Sequence, residues 1–138
     1  MRYTSKQELL SMIEFVESQV EFVIDTTADV KDYHDFLLSR SGMILFNSTC
    51  MCLQSIGETV RKLDEATWGK LLASYPAVPW RQIVGMRNII SHEYLSVDPE
   101  LVLSVVTEEL QPLLEEVKTI CAAIKAGKHD ELWTKTDE

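Results

Sequence analysis

Apolar residues recur at steps of three and four along most of the chain, which is the spacing that places them on one face of an α-helix. The first run extends from Leu9 to Ile24 and follows Ser5 and Glu8, whose spacing is that of a capping box. No segment shows the apolar–polar alternation of a β-strand. The pattern predicts long helices over about residues 5–25, 41–65, 80 to the low nineties and 99–126, with shorter helical segments at 28–38 and 67–74. We therefore expect an all-α fold, an up-and-down helical bundle of four to five helices.

Prolines and a glycine indicate where these helices begin, bend and end. Two prolines in residues 75–80 disfavour helix before them, and the second suits the first turn of the next helix. Asp98 and Pro99 are spaced as the N-cap and the first residue of the 99–126 helix. Pro112 has no backbone N–H, so a bend in that helix is expected there. Gly127 fits the position just after its end.

The 41–65 helix carries a wide stripe of apolar and small residues. Gly57 lies within it and costs about 1 kcal/mol relative to alanine in a helix, which suggests that a neighbouring helix approaches closely at that point. The residues on the predicted inner side are Ile44, Leu45, Ser48, Met51, Cys52, Ser55, Ile56, Thr59, Val60 and Leu63.

Length and composition favour a single domain over residues 1–138. Residues 127–138 read as a polar C-terminal tail, which predicts that His129 lies on the surface. No apolar run reaches the roughly 18–20 residues that a membrane span requires. The first residues also lack the apolar core of a secretory leader. We therefore expect a cytoplasmic protein without membrane contact.

Two groups of potentially reactive side chains are predicted to be inert. Cys50, Cys52 and Cys121 are odd in number and lack paired CxxC spacing, which favours buried, reduced thiols over disulfides, a zinc site or nucleophiles. His34 stands among acidic residues, but adjacent positions on a helix do not face each other, so a solvated surface patch is expected. We expect no metal and no cofactor.

The charge balance restricts which partners the protein can bind. The chain has 22 Asp and Glu against 13 Lys and Arg, a net charge of −9, which argues against a general polyanion binder. Residues 61–92 are the exception, with five basic residues against two carboxylates. Any contact with nucleic acid is therefore expected to be confined to this segment and to be sensitive to salt.

The candidate chemistry is concentrated in residues 78–94. Arg87 and Tyr94 are seven residues apart and share a helix face, whereas Arg87 and His92 are about 140° apart around an ideal helix. Arg87 and His92 would converge only if the helix ends or distorts near Ser91, or if a second subunit supplies the opposite side. The spacing alone favours an interfacial histidine and a surface ion pair of the arginine.

Several segments, taken in order, resemble the HEPN-domain toxins of the HepT type. Arg87, His92 and Tyr94 resemble that family's Arg-x4-His-x-Tyr motif. The resemblance covers residues 44–117 well and the first forty residues only by helical pattern. The segments that resemble the family's "IGEA…KRL", "IPWR-x-I-x-G-x-RN" and "GVD…VTEDLPPL" are residues 56–63, 78–88 and 97–113.

The departures from the family pattern are modest. Thr59 stands where the family usually has alanine. Ile89, Ile90 and Ser91 replace a common Arg-Leu-Ile, so one basic residue beside the motif is missing, which would weaken RNA affinity. Glu93 stands between the motif's histidine and tyrosine, where the family often has a small or acidic residue.

The resemblance implies a metal-independent endoribonuclease, the toxin of a type VII toxin–antitoxin system. His92 would serve in acid–base chemistry at the RNA 2′-OH. Arg87 would bind and stabilise the phosphate, with Arg81 as a further RNA contact. Asn88 would position a phosphate oxygen or brace His92. The resemblance also implies a homodimer in which two motifs face one cleft.

Two further residues receive roles from the resemblance or from their position. The resemblance implies that a minimal nucleotidyltransferase antitoxin adds AMP to Tyr94; the other interpretation is a hydroxyl that orients His92 or packs at the dimer interface. Glu58 is predicted to pair with Arg87 or Arg81 from the facing helix. The alternative functions are a non-catalytic, substrate-binding subunit of a nucleotidyltransferase complex and a plain helical interaction module.

Overall fold

The computed structural model describes residues 5–92 and 97–133, and the side chains of residues 88–92 lie outside the described set. The described residues contain no strand, which confirms the all-α prediction. Within these ranges, short 3-10 turns occur at Tyr33–Phe36 and Asp130–Leu132. The α-helices of the described chain are α1 (Lys6–Thr26), α2 (Arg40–Ala66), α3 (Lys70–Ala73), α4 (Trp80–His92), α5 (Pro99–Glu108) and α6 (Leu110–Lys125).

Helix α2 is the centre of the bundle. It packs against α1 on one side and α4 on another, while α1 also packs against α6, and α6 against α5. The core between them is aliphatic, with Phe36 of the first 3-10 turn fully buried in it. This arrangement fixes α4 on α2, and it leaves one side of α2 open to solvent.

The predicted helix ends are confirmed where a local signal defines them. The Ser5 hydroxyl accepts a hydrogen bond from the Glu8 N–H at 3.1 Å, and the Glu8 carboxylate accepts one from the Ser5 N–H at 3.0 Å. Asp98 caps α5 through the Glu100 N–H, with Pro99 as the first helical residue. At the end of α6, Gly127 adopts a φ of +87°, which a glycine accommodates without strain.

The helix predicted over residues 99–126 is divided into two. The break falls at Glu109, three residues before Pro112. Pro112 cannot donate to the Glu108 carbonyl, and its ring crowds that carbonyl, so the helix breaks one turn before the proline. The segment predicted as helical over 28–38 contains only the 3-10 turn at Tyr33–Phe36.

The predicted inner side of α2 is confirmed only in part: Cys52, Ile56, Val60 and Leu63 are buried, but the centre of the buried face is turned by about a quarter of a turn from the predicted one. Ile44 and Met51 were expected inside, yet they are 63% and 69% exposed. The buried side also includes Gly42, Thr49 and Gly57, small residues that allow close packing but that hydropathy does not mark as apolar.

The prediction that His129 lies on the surface is also wrong. Its imidazole is 5% exposed and lies 2.7 Å from the hydroxyl of Tyr75, in the segment between α3 and α4. Trp133 is buried as well, and Lys6 forms a 3.0 Å ion pair with Asp130. The chain after α6 therefore folds back onto the bundle through contacts that are distant in sequence.

Candidate functional site

Gly57 lets the backbone of α4 lie directly on α2. A Cβ at this position would be 2.9 Å from the Ile83 carbonyl oxygen and 3.1 Å from the Arg87 nitrogen, both closer than ordinary contacts. The close approach predicted from the sequence is confirmed. It also brings the residue after Gly57 on α2 alongside Arg87 on α4.

That next residue, Glu58, joins the two helices through an ion pair. Its Oε1 lies 3.2 Å from Nη1 of Arg87, and its Oε2 lies 3.3 Å from Nη2 of Arg61 on its own helix. Arg61 in turn forms a 2.8 Å ion pair with Glu65. Of the two partners predicted for Glu58, the structure selects Arg87. The row of alternating charges holds the Arg87 guanidinium against α2 from one side.

The electrostatics of this row keep Glu58 ionised. The hydrogen bond from Arg61 lowers the pKa of the Glu58 carboxyl, and the positive charges of Arg87 and Lys62 add to that effect. The side chains of Glu58 and Arg87 remain 37% and 33% exposed. An incoming anion can therefore reach this pair without any rearrangement of the core.

The pair lies on the wall of an open groove of about 520 Å³ on the uncovered side of α2. Helix α1 contributes Phe15, which is 42% exposed, and α4 contributes Arg87. The residues that α2 contributes include Met51, Gln54, Ser55 and Lys62. The groove combines two cations, hydrogen-bonding side chains and an accessible aromatic ring.

Of the other predicted site residues, only Arg81 has a described side chain. Arg81 is exposed on the first turn of α4, outside the groove lining, so the structure does not bring it together with Arg87. Asn88 and His92 lie on the helical backbone of α4, and their side chains are outside the described residues. Tyr94 lies outside the described residues altogether.

The residues predicted to be inert have the expected environments. All three cysteines are buried, and burial raises the pKa of the Cys50 thiol to about 11, so that the reactive thiolate is scarce near neutral pH. His34 is exposed and pairs with the Asp32 carboxylate on the surface.

Sequence reasoning missed the groove itself. Gln54, Glu58 and Lys62 are four residues apart and therefore lie at successive turns along one face of α2. This polar spacing could have indicated an open face. It was masked by Met51 and Ile44, apolar residues on the same side.

Among the helices that the structure describes, none is both long and apolar enough to cross a bilayer.

Comparisons with known proteins identify relatives over most of the chain. The family model described as "Ribonuclease HepT-like" matches residues 16–120. Two proteins of Methanocaldococcus jannaschii named "Putative RNase" are 29% and 25% identical over 84% and 83% of this chain and 99% and 92% of their own lengths. A protein of the same name from Caldanaerobacter subterraneus is 27% identical over 78% of this chain and 89% of its own. No solved structure matches the chain.

Proposed function

Since the chain belongs to the HepT-like ribonuclease family, we propose that it is a metal-independent endoribonuclease that uses Arg87 and His92. The observation that carries this proposal is the Arg87 guanidinium, fixed by Glu58 on the wall of an accessible groove. A guanidinium in this position can bind a phosphate in a defined orientation, because its planar donors remain charged at any physiological pH.

The proposed reaction is an attack of the RNA on itself. His92 as general base takes the proton of a ribose 2′-OH, and the 2′-oxygen then forms a bond to the adjacent phosphorus. The bond between phosphorus and the 5′-oxygen of the next nucleotide breaks, and that oxygen receives a proton from a general acid. The products are a 2′,3′-cyclic phosphate and a 5′-hydroxyl. Arg87 stabilises the additional negative charge on the phosphate in the transition state, and Asn88 supports His92 or a phosphate oxygen.

A homodimer would supply the second histidine. The backbone is helical from Arg87 to His92, so these positions are about 140° apart around α4, which argues against a complete site on one chain. Exposed apolar side chains line a second groove beside the start of α2. Monomeric proteins seldom expose such a cluster of apolar side chains. Leu38, Met43 and Ile44 in that groove are 79%, 54% and 63% exposed, and we assign them to contact with a second copy.

We further propose that the enzyme is the toxin of a type VII toxin–antitoxin pair and that a minimal nucleotidyltransferase antitoxin adds AMP to Tyr94. Tyr94 follows His92 by two residues. A phosphate and a nucleotide attached there would add negative charge and bulk near Arg87 and would compete with an RNA phosphate.

Cleavage assays test the catalytic assignment. Purified wild type, Arg87→Ala and His92→Ala would be incubated with total RNA in the presence of EDTA. We expect cleavage by the wild type only, with cyclic phosphate ends on the products. Equal cleavage by all three proteins would contradict the assignment. Loss of wild-type cleavage in EDTA, with recovery on adding a divalent metal, would contradict metal independence.

Mixed dimers test the shared cleft. Arg87→Ala and His92→Ala chains, co-expressed with different affinity tags, would be purified as heterodimers that still contain one intact Arg87 and one intact His92. We expect more cleavage from the heterodimer than from either homodimer. If the heterodimer is as inactive as both parents, or if the wild type sediments as a monomer, the two-chain cleft is wrong.

Mass spectrometry tests the modification. The chain would be co-expressed with a minimal nucleotidyltransferase and digested to locate added AMP. We expect AMP on Tyr94, no AMP on a Tyr94→Phe variant and unchanged modification of a Tyr33→Phe control. AMP on another residue would contradict the role given to Tyr94. A wild type that binds the transferase but neither carries AMP nor cleaves RNA would support the binding-subunit alternative.

A further inference from the structure

The groove beside Arg87 is lined by more functional groups than are needed to bind one phosphate. Phe15 of α1 keeps 42% of its surface exposed, although the next residue, Val16, is completely buried. Gln54 and Lys62 lie one turn before and one turn after Glu58 on α2, about 6 Å away along the helix axis in each direction. An aromatic face, an amide and an ammonium group therefore border the same space as the Arg87 guanidinium.

These side-chain types match the parts of a nucleotide. An exposed aromatic ring stacks on any base, and an amide side chain can both donate to and accept from a base edge. Lys62 is exposed and forms no ion pair within the described chain, so its charge is available to a phosphate.

The charge of the groove also favours an anionic ligand. Its lining contains Lys62 and Arg87 against the single carboxylate of Glu58, whereas the whole chain has a net charge of −9. The Glu58 carboxylate is bonded to Arg61 as well as to Arg87, so an anion that engages Arg87 does not leave it without a cation. The groove is thus a local exception to an acidic surface.

We propose that this groove binds the nucleotide next to the scissile phosphate of single-stranded RNA. The base stacks on Phe15 and is contacted at its edge by Gln54, while Lys62 binds a neighbouring phosphate. The RNA must be single-stranded, because a base in a duplex is already stacked on both faces. The proposal deepens the ribonuclease function and rests on it, since Arg87 is assumed to hold the scissile phosphate.

A protein partner suits this groove less well. The surface assigned above to a second copy is formed by Leu38, Met43 and Ile44 at the other end of the open side of α2. The groove at Phe15 instead carries two cations and the polar side chains of α2, which resemble a nucleic-acid surface more than the apolar centre of a protein interface.

The test uses full-length protein and a fluorescent single-stranded RNA of about 12 nucleotides with 2′-O-methyl ribose, which cannot be cleaved because the attacking hydroxyl is blocked. We expect Phe15→Ala to weaken binding about tenfold and Phe15→Tyr, which keeps the ring, to restore it. Phe22→Ala is the matched control, since Phe22 is 47% exposed on the same helix and does not line the groove. We expect it to change affinity by less than about twofold.

Two further variants test the phosphate and base contacts. Lys62→Gln should lower the slope of log affinity against log salt by about one, whereas Lys31→Gln, an exposed lysine outside the groove, should leave it unchanged. Gln54→Ala should change the relative affinities for oligoadenylate, oligocytidylate and oligouridylate, because an amide reads a base edge.

The outcomes separate this proposal from the ribonuclease function. If Phe15→Ala and Phe22→Ala bind equally well while unmodified RNA is still cleaved, the nucleotide site is wrong and the ribonuclease function stands. If binding depends on Phe15 but unmodified RNA is not cleaved, the ribonuclease function fails and the site stands. Dissociation of a wild-type dimer by Phe15→Ala, seen by sedimentation, would make the groove a protein contact and overturn the proposal. Absence of RNA binding by the wild type overturns it too.

Discussion

Two of the polar side-chain pairs that join distant segments of this chain have opposite surroundings. Glu58 and Arg87 connect α2 to α4, and both side chains are about one-third exposed on the wall of a groove. Tyr75 and His129 connect the segment before α4 to the chain after α6, and both residues are at most 6% exposed. The first pair is ionic, whereas burial lowers the pKa of His129 and so favours its neutral form.

This difference separates a pair that can take part in binding from one that only holds the fold together. The Tyr75–His129 pair is enclosed, so its hydrogen bond cannot be exchanged for one to a ligand. Arg87 can turn from Glu58 to an incoming phosphate, because Arg61 still neutralises Glu58 afterwards. A histidine is often suspected of catalysis because of its titration range, but the burial of His129 gives it a structural role here.

The largest effect is expected from a change at Arg87, in the exposed pair. Arg87→Ala should lower the rate of RNA cleavage by about 10²–10³-fold, since a donor to the transition state is lost. The free energy of unfolding should change by less than about 1 kcal/mol, because a partly exposed ion pair contributes little and Glu58 keeps its ion pair with Arg61. Single-turnover cleavage and urea denaturation measure the two quantities. A stability loss without a rate loss would make Arg87 structural.

The next largest effect is expected where α2 and α4 are in close contact at Gly57, the contact that brings Arg87 next to Glu58. Gly57→Ala should lower the free energy of unfolding by about 1–3 kcal/mol, because the added methyl group meets the α4 backbone at 2.9 Å. Gly85→Ala is the matched control on α4, where a Cβ would meet nothing within 4 Å; it should stabilise the protein by up to about 1 kcal/mol. Urea denaturation measures both variants. Equal changes in the free energy of unfolding for the two variants would show that α4 leaves room for a methyl group at position 57.

The helix ends that the sequence predicted correctly depend on local chemistry. Ser5 with Glu8, Asp98 with Pro99, and Gly127 each define a helix end within a few residues of backbone, so their patterns are sufficient. The pairing of Glu58 across the helices was predictable as well, because a carboxylate on a mostly apolar helix face usually needs a cation.

The errors arise where packing between distant segments decides. Periodicity shows which residues of α2 share a face, but it does not show how that face is turned toward its neighbours. The small residues Gly57 and Thr49 belong to the buried face although hydropathy does not mark them. Met51 consequently lies in the groove instead of the core. The burial of His129 depends on Tyr75, 54 residues away, and no short-range pattern connects the two.

An effect of similar size is expected in the enclosed pair, at His129. His129→Ala leaves the Tyr75 hydroxyl buried without its partner and should lower the free energy of unfolding by about 1–3 kcal/mol. The cleavage rate of the folded protein should not change. Tyr75→Phe combined with His129→Ala should cost less than the sum of the single variants, because the orphaned hydroxyl is absent. Strict additivity in urea denaturation would show that the hydrogen bond has no energetic role.

The smallest effect expected from the same pair is on the pH dependence of stability. Burial lowers the pKa of His129 below its ordinary 6.5, so the unfolded chain binds a proton that the folded chain does not. His129 therefore contributes stability above about pH 6.5, and this contribution is lost as the pH falls through its folded pKa. Glu131 and Lys128 shift the pKa of His129 in opposite directions and only modify this effect.

The variant His129→Gln tests this pH dependence. Its free energy of unfolding should vary less with pH than that of the wild type between about pH 5 and 7. Asp130, whose pKa is lowered from 3.8 by Lys6, responds only at more acid pH, so the same slope in both proteins above pH 5 would refute a buried, neutral His129.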